Sequence, residues 1–229
     1  MMNWTMIKKG ILKGGKRKER IWEKIRLGEP FKQALEGFKK DVLGRKDFDP
    51  TSLLQFGLFM AMGVLNVLKE AESTFGEEGQ DMVIKALIKT GFDVGRQMVE
   101  NIEVPEEITD IELISFLATI INTQAWTSIE DPIIDSEDKC SFDILWCPLQ
   151  DLYSAFDCRV QRYLVQGILD AFRSSELMKS DFQVEFTETI PAGADKCHFV
   201  INKKKPGEND KWESYSEELE KKALRDKNK

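Results

Sequence analysis

The chain has 229 residues, enough for one domain of ordinary upper size with a sizeable core, and its 41% hydrophobic and 32% charged residues fit a folded soluble protein rather than a disordered one. Thirty-three basic against forty acidic side chains leave a net charge of -7, a field that repels phosphate backbones and argues against a nucleic-acid partner. One histidine, His198, excludes chemistry that needs two imidazoles, the HExxH zinc hydrolases among it, so soft-metal work would fall to cysteine.

Residues 1–20 carry seven cations between Lys8 and Arg20, interrupted by Gly10, Gly14 and Gly15, and read as a flexible basic arm. No apolar segment followed by a small-residue cleavage site occurs there, so the expectation is a cytoplasmic protein with reduced thiols. Lys18 to Leu27 and Pro30 to Leu43 repeat apolar residues at helical spacing, with Pro30 at a first-turn position, and predict two amphipathic helices. Asp49-Pro50-Thr51 opens the most apolar run, Leu53 to Leu68. That run falls short of the roughly 20 apolar residues of a comfortable bilayer crossing and passes directly into Lys69-Glu70-Ala71-Glu72. It therefore reads as a buried central helix, or one that makes a homodimer by close approach at Gly57 and Ala61, with no membrane span.

Helical period continues from Met82 to Ile102 and, after Val104-Pro105, from Ile111 to Ile121. At Trp126 the texture changes. Trp126 to Ile129 and Cys140 to Trp146 alternate in period two and predict an antiparallel pair, separated by Asp131-Pro132 and the polar stretch Asp135 to Lys139. A helix is expected between Pro148 and Phe172, then strands at Phe182 to Thr187 and Cys197 to Asn202 about a turn at Pro191-Ala-Gly193. Residues 203–229 form a charged C-terminal tail in which Ser214 and Glu217 would cap a short helix. The expected class is α+β: one domain over residues 21–202, whose helical half, 21–122, packs on a small antiparallel sheet with additional helices in the cysteine-bearing half, 123–202.

Cys140, Cys147, Cys158 and Cys197 are all the cysteines present, and they share the β-rich half. Their spacing, C-x6-C-x10-C-x38-C, has the stoichiometry of a four-thiolate zinc or iron–sulfur site but no CxxC knuckle. Ligation of a metal and burial as small hydrophobes both stay open. Cys147 precedes Pro148, which suits a first helical position and would set Cys147 at the N-cap, where free amides and the helix dipole favour a thiolate. Cys158 then lies about three turns along, so a break near Asp157 is required to bring the two together. His198 neighbours Cys197 on a strand and faces the opposite side of the sheet, which argues against a dyad.

Cys147-Pro148, Cys158 with Gly167 nine residues on, Thr187 and Thr189, and the turn Gly193-Ala-Asp195-Lys-Cys197-His-Phe199 follow one another in an order that resembles the L-2-amino-thiazoline-4-carboxylic acid hydrolase family. Two departures stand out: Gln161 occupies an Asp position of that pattern, and Ala194 and Lys196 replace an acidic residue and a fifth Cys. The resemblance implies a cysteine-dependent hydrolase of a small cyclic amidine or C–N bond. Cys147 would then be the attacking thiolate, Cys158 or Cys197 would assist or hold a metal, and Arg159 and Arg162 would receive a substrate carboxylate. The last turn is also similar to the 4-vinyl reductase domain, which implies instead a sensor module that binds a small molecule, zinc or an iron–sulfur cluster without turnover.

Overall fold

The structure is a computed structural model and describes Glu29, residues 31–101 and residues 108–225. The basic arm, the helix expected from Lys18 to Leu27, Pro30 and Val104-Pro105 lie outside the described residues. Among the described residues the order is α1 (Phe31–Asp41), α2 (Thr51–Phe75), α3 (Glu77–Glu100), α4 (Asp110–Ile120), β1 (Ile129–Ser136), β2 (Lys139–Trp146), α5 (Arg159–Arg173), β3 (Phe182–Glu188), β4 (Cys197–Lys203) and α6 (Lys211–Arg225). This is the α+β class expected, with a helical N-terminal half and one four-stranded antiparallel sheet.

A single turn separates α2 from α3 at Gly76, whose φ of +64° is a conformation that glycine reaches without a Cβ penalty. The apolar run that opens α2 is mostly exposed, with 11% of its most apolar eighteen-residue window buried, which corrects the expectation of a buried central helix. Leu65, Leu68, Ala71 and Glu72 are buried, whereas Phe56 and Phe59, in a segment expected to be central or paired, are 63% and 70% exposed. Charged residues begin only at Lys69, so the helix is apolar all round at its start and has a buried face only where the body of the domain reaches it. Glycine governs the packing of α3 on α5. A Cβ on Gly167 would fall on the carbonyl oxygen of Ile88 and one on Gly91 on that of Leu164, so the two backbones meet where no side chain fits. The start of α4 carries a full capping box, Thr109 accepting the Glu112 amide and Glu112 accepting that of Thr109.

The sheet runs in the order β1-β2-β4-β3, with Phe142 opposite both Pro132 and Phe199, and Phe199 opposite Phe186. Period-two alternation sends Cys140, Phe142 and Ile144 on β2, and Cys197 and Ile201 on β4, into the core with Phe199 packed against them. Phe142 and Phe199 stack at 4.7 Å. The first strand is displaced from its expected place: β1 begins where Trp126 to Ile129 was expected to end and continues through Asp131-Pro132. Pro132 is tolerated because β1 is an edge strand. The charged C-terminal segment contributes α6, which buries Trp212, Leu219 and Ala223. Its cap is Asp210, whose Oδ1 accepts the amides of Trp212 and Glu213 at 2.9 and 3.2 Å; Ser214, the expected cap, lies inside the helix and donates its hydroxyl to the Asp210 carbonyl.

Candidate active site

Where the inner sheet face meets α4, α5 and α6, the side chains leave a cavity of about 140 Å³. An apolar space of roughly this size admits a benzene-sized molecule. Ile144, Val165, Leu169 and Phe199 supply apolar wall, and the sulfurs of Cys147, Cys158 and Cys197 complete it. Three thiols spread over fifty-one residues of chain, 147 to 197, are thus drawn to one space.

The segment after β2 explains how. The helix expected from Pro148 does not form there; residues 148–158 make a series of turns, and α5 begins only at Arg159. Asp157 turns the chain, its carboxylate accepting the amide and hydroxyl of Ser154 at 3.0 and 2.8 Å and pairing with Lys69 of α2 at 2.7 Å. Burial alone would raise the Asp157 carboxyl, but these partners outweigh it and hold the group below the usual carboxylate range. Tyr153 donates its hydroxyl to the Ala61 carbonyl at 2.8 Å, fastening the same segment to α2. The break near Asp157 that would let Cys147 and Cys158 approach is therefore present, and Cys158, not Cys147, is the N-cap residue of the helix. Cys147 precedes a turn, its amide donating to Gln150 Oε1 at 3.1 Å, and it packs against both hydrophobic clusters of the domain.

Electrostatics separate the sulfurs. Burial first, and then the fields of Cys147, Cys197 and Asp157, push the Cys158 thiol up to about 12. The mutual influence of the three sulfurs reflects their nearness. Burial also raises Cys197, but the amide of Ile190 points at its sulfur from 3.2 Å and partly offsets that effect. This donor comes from the 3₁₀ turn Ile190–Ala192, which closes at Gly193 with φ +98°. Cys140 stands apart: it does not line the cavity, it is buried on β2, and burial with nearby Asp135 and Glu130 pushes its thiol up to about 12 despite a hydrogen bond with Ser115. Among the described residues no three His, Cys, Asp or Glu side chains are grouped as a metal-binding set.

Arg159 and Arg162 both reach the cavity wall, yet each guanidinium is engaged by protein groups. Arg159 is 1% exposed and pairs bidentately with Glu72 at 2.7 and 2.8 Å, while Gln80 donates to the same carboxylate. Arg162 stacks on Trp212 at 3.8 Å and donates to the Trp212 carbonyl and the Ser216 hydroxyl. Both line the wall, and the Nε of Arg159 has no hydrogen-bond partner there. His198 lies on the opposite sheet face from Cys197, its Nδ1 2.7 Å from Asp143, which also accepts from Lys196 at 2.7 Å. The lone imidazole is thus remote from the thiols in function, as strand alternation requires.

Gln161 is the functional candidate that residue patterns undervalue. Its Nε2 is buried on the cavity wall and has no hydrogen-bond partner, an orphan donor that carries a desolvation penalty until something accepts from it. Its signal was position: three residues after Cys158, it shares a helix face with that thiol. Trp126 is a second, placed on the wall by the π-helical turn Ile121–Ala125 and by Thr127, whose φ of +55° is strained for a β-branched residue.

The protein is thus an α+β domain with three cysteines on the wall of one internal cavity. The chain belongs to the L-2-amino-thiazoline-4-carboxylic acid hydrolase family, which it matches over residues 57–201, more than half its length. It is 47% identical over 203 residues, 87% of this chain and 90% of the relative, to an uncharacterized protein of Archaeoglobus fulgidus. It is also similar, at 12% identity and a TM-score of 0.41, to the structure of a trafficking protein particle complex subunit 3 from Naegleria fowleri covalently bound to palmitic acid, over 66% of this chain and 96% of that one.

Proposed function

We propose that the protein is a cysteine-dependent hydrolase that opens a C–N bond in a small ring or amidine. The observation that carries this reading is the meeting of Cys147, Cys158, Cys197 and the orphan Gln161 amide in one ring-sized apolar cavity. Family membership supports hydrolysis as the reaction class. Cys147 is the nucleophile: it lines the cavity at the start of the turn segment, its amide held by Gln150, and it lies between the two halves of the core.

The Cys147 sulfur adds to the amidine carbon while Gln161 Nε2 donates to the heteroatom on which charge develops. The C–N bond breaks as the departing nitrogen takes a proton from Cys197, whose sulfur the Ile190 amide stabilises once that proton has gone. Water then adds to the S-linked intermediate and returns a proton to Cys197. The C–S bond breaks, releasing the hydrolysed product and the Cys147 thiolate. Because Arg159 and Arg162 are engaged elsewhere, a substrate carboxylate is not a requirement.

The test is turnover of L-2-amino-thiazoline-4-carboxylic acid beside 2-aminothiazoline, which lacks the carboxylate. Cys147→Ser is expected to lower kcat about a thousandfold or more with an unchanged melting temperature, and Cys140→Ala to leave kcat intact. Undiminished turnover in Cys147→Ser rejects the assignment.

A further inference from the structure

The cavity beside the thiols is smaller than the roughly 300–1,000 Å³ of ordinary small-molecule sites, but it does not stand alone. A groove of about 500 Å³ lies between α2 and the segment that follows β2, and Trp126, Leu149 and Gln161 belong to the walls of both spaces. The α2 side of the groove is a stripe of Leu54, Gly57, Leu58 and Ala61 at helical spacing, and the facing side includes Val160 and Leu164. The hydrogen bond from Tyr153 to the Ala61 carbonyl ties the two sides together at one end of the stripe.

From these shared walls we infer that the site takes a compound with a neutral carbonyl or amidine head in the inner cavity and a single aliphatic chain along the α2 groove. This substrate class rests on the hydrolase reading of the same cavity. Two observations select the occupant. The orphan Gln161 donor lies on the wall that the two spaces share, where the head of such a compound supplies an acceptor, and the charge of Arg159 is already balanced by Glu72, its unpartnered Nε adding a second donor, which favours a neutral acceptor head. The groove is walled mostly by hydrocarbon, so a peptide laid there would leave its own amides and carbonyls without partners, a cost that an alkyl chain does not incur.

Gly57 provides the test, because it lines the groove and a Cβ added there meets nothing within 4 Å, so a larger residue enters without displacing the core. The full chain is titrated with hexanamide, dodecanamide and hexadecanamide by displacement of a fluorescent apolar probe. Wild type is expected to bind dodecanamide at least about tenfold more tightly than hexanamide, since each buried methylene adds to the affinity. In Gly57→Trp that gain disappears while hexanamide binding stays within about twofold, and Gly57→Ala behaves as wild type, because only the bulky chain occupies the slot. Affinity independent of chain length, or a length dependence that survives Gly57→Trp, overturns the inference; so does sedimentation showing the groove closed in an α2-mediated dimer with a flat series. Cys147→Ser retains the graded series. A flat series with thiol-dependent turnover thus removes only the chain-binding claim, and a graded series with no hydrolysis of any ring or amide removes only the reaction.

Discussion

The pairing of Arg159 with Glu72 shows how a single side chain changes meaning between sequence and structure. Next to a cysteine in the chain, Arg159 looks available to an anionic substrate; in the fold it is clamped by a carboxylate eighty-seven residues away and is nearly inaccessible. Removing one member leaves an uncompensated charge in the interior, whereas removing both leaves an apolar gap. Glu72→Leu is therefore expected to cost about 3–5 kcal/mol of folding free energy, and the double variant Glu72→Leu with Arg159→Leu to recover most of it. Urea denaturation of the three proteins measures both. Had Arg159 been a substrate ligand instead, the double variant would lose turnover through a raised KM while Glu72→Leu alone stayed stable.

At the level of elements, α5 is positioned by what is missing from it. Gly167, one of the residues on which the family resemblance rests, lies against Ile88 and Phe92 with no room for a methyl group, and Gly95 meets Ala171 and Ile168 in the same way. Gly167→Ala should force α5 away from α3 and lower stability by about 3 kcal/mol, visible as a lower melting temperature and faster hydrogen exchange along both helices. Much of the element order was legible in the sequence, because Phe182 to Thr187 and Cys197 to Asn202 alternate cleanly and Ile111 to Ile121 is apolar at helical period. The stretch from Pro148 to Asp157 was not. Its apolar residues keep helical spacing, but the side chain of Asp157 competes for the Ser154 amide and ends the helix before it starts. The same competition creates the candidate site, since a continuous helix would hold Cys147 and Cys158 apart. Spacing between cysteines carried no sign of this, and the exclusion of Cys140 followed only from which face of β2 met which helix.

For the whole molecule, the buried and half-buried carboxylates set the acid limit. Asp157 and Asp143 both titrate below the usual range: burial acts upward on each, and hydrogen bonds from Lys69 and Ser154, or from Lys196 and His198, outweigh it. A group depressed in the folded state contributes stability above its unfolded value, near 3.9 for aspartate, and loses it as the pH falls through the folded one. Glu220, raised chiefly by burial, works in the opposite sense. With two depressed groups against one raised, the melting temperature should be level from about pH 5 to about pH 8 and fall below about pH 4, with a shallower fall in Asp157→Asn; above about pH 9 it falls again, because the unfolded chain sheds thiol protons that buried Cys140 and Cys158 keep. Calorimetric scans across that range decide it; a melting temperature that rises on acidification below about pH 5 contradicts the sign.

The glycine contact between α3 and α5 also governs where the domain can give. Two helices locked backbone against backbone leave no hinge of their own, whereas the irregular stretch between Cys147 and Cys158 is held to α2 by the side chains of Tyr153 and Asp157. The domain thus has one seam that yields only if two backbones move apart, and one stretch that yields when a pair of side chains lets go.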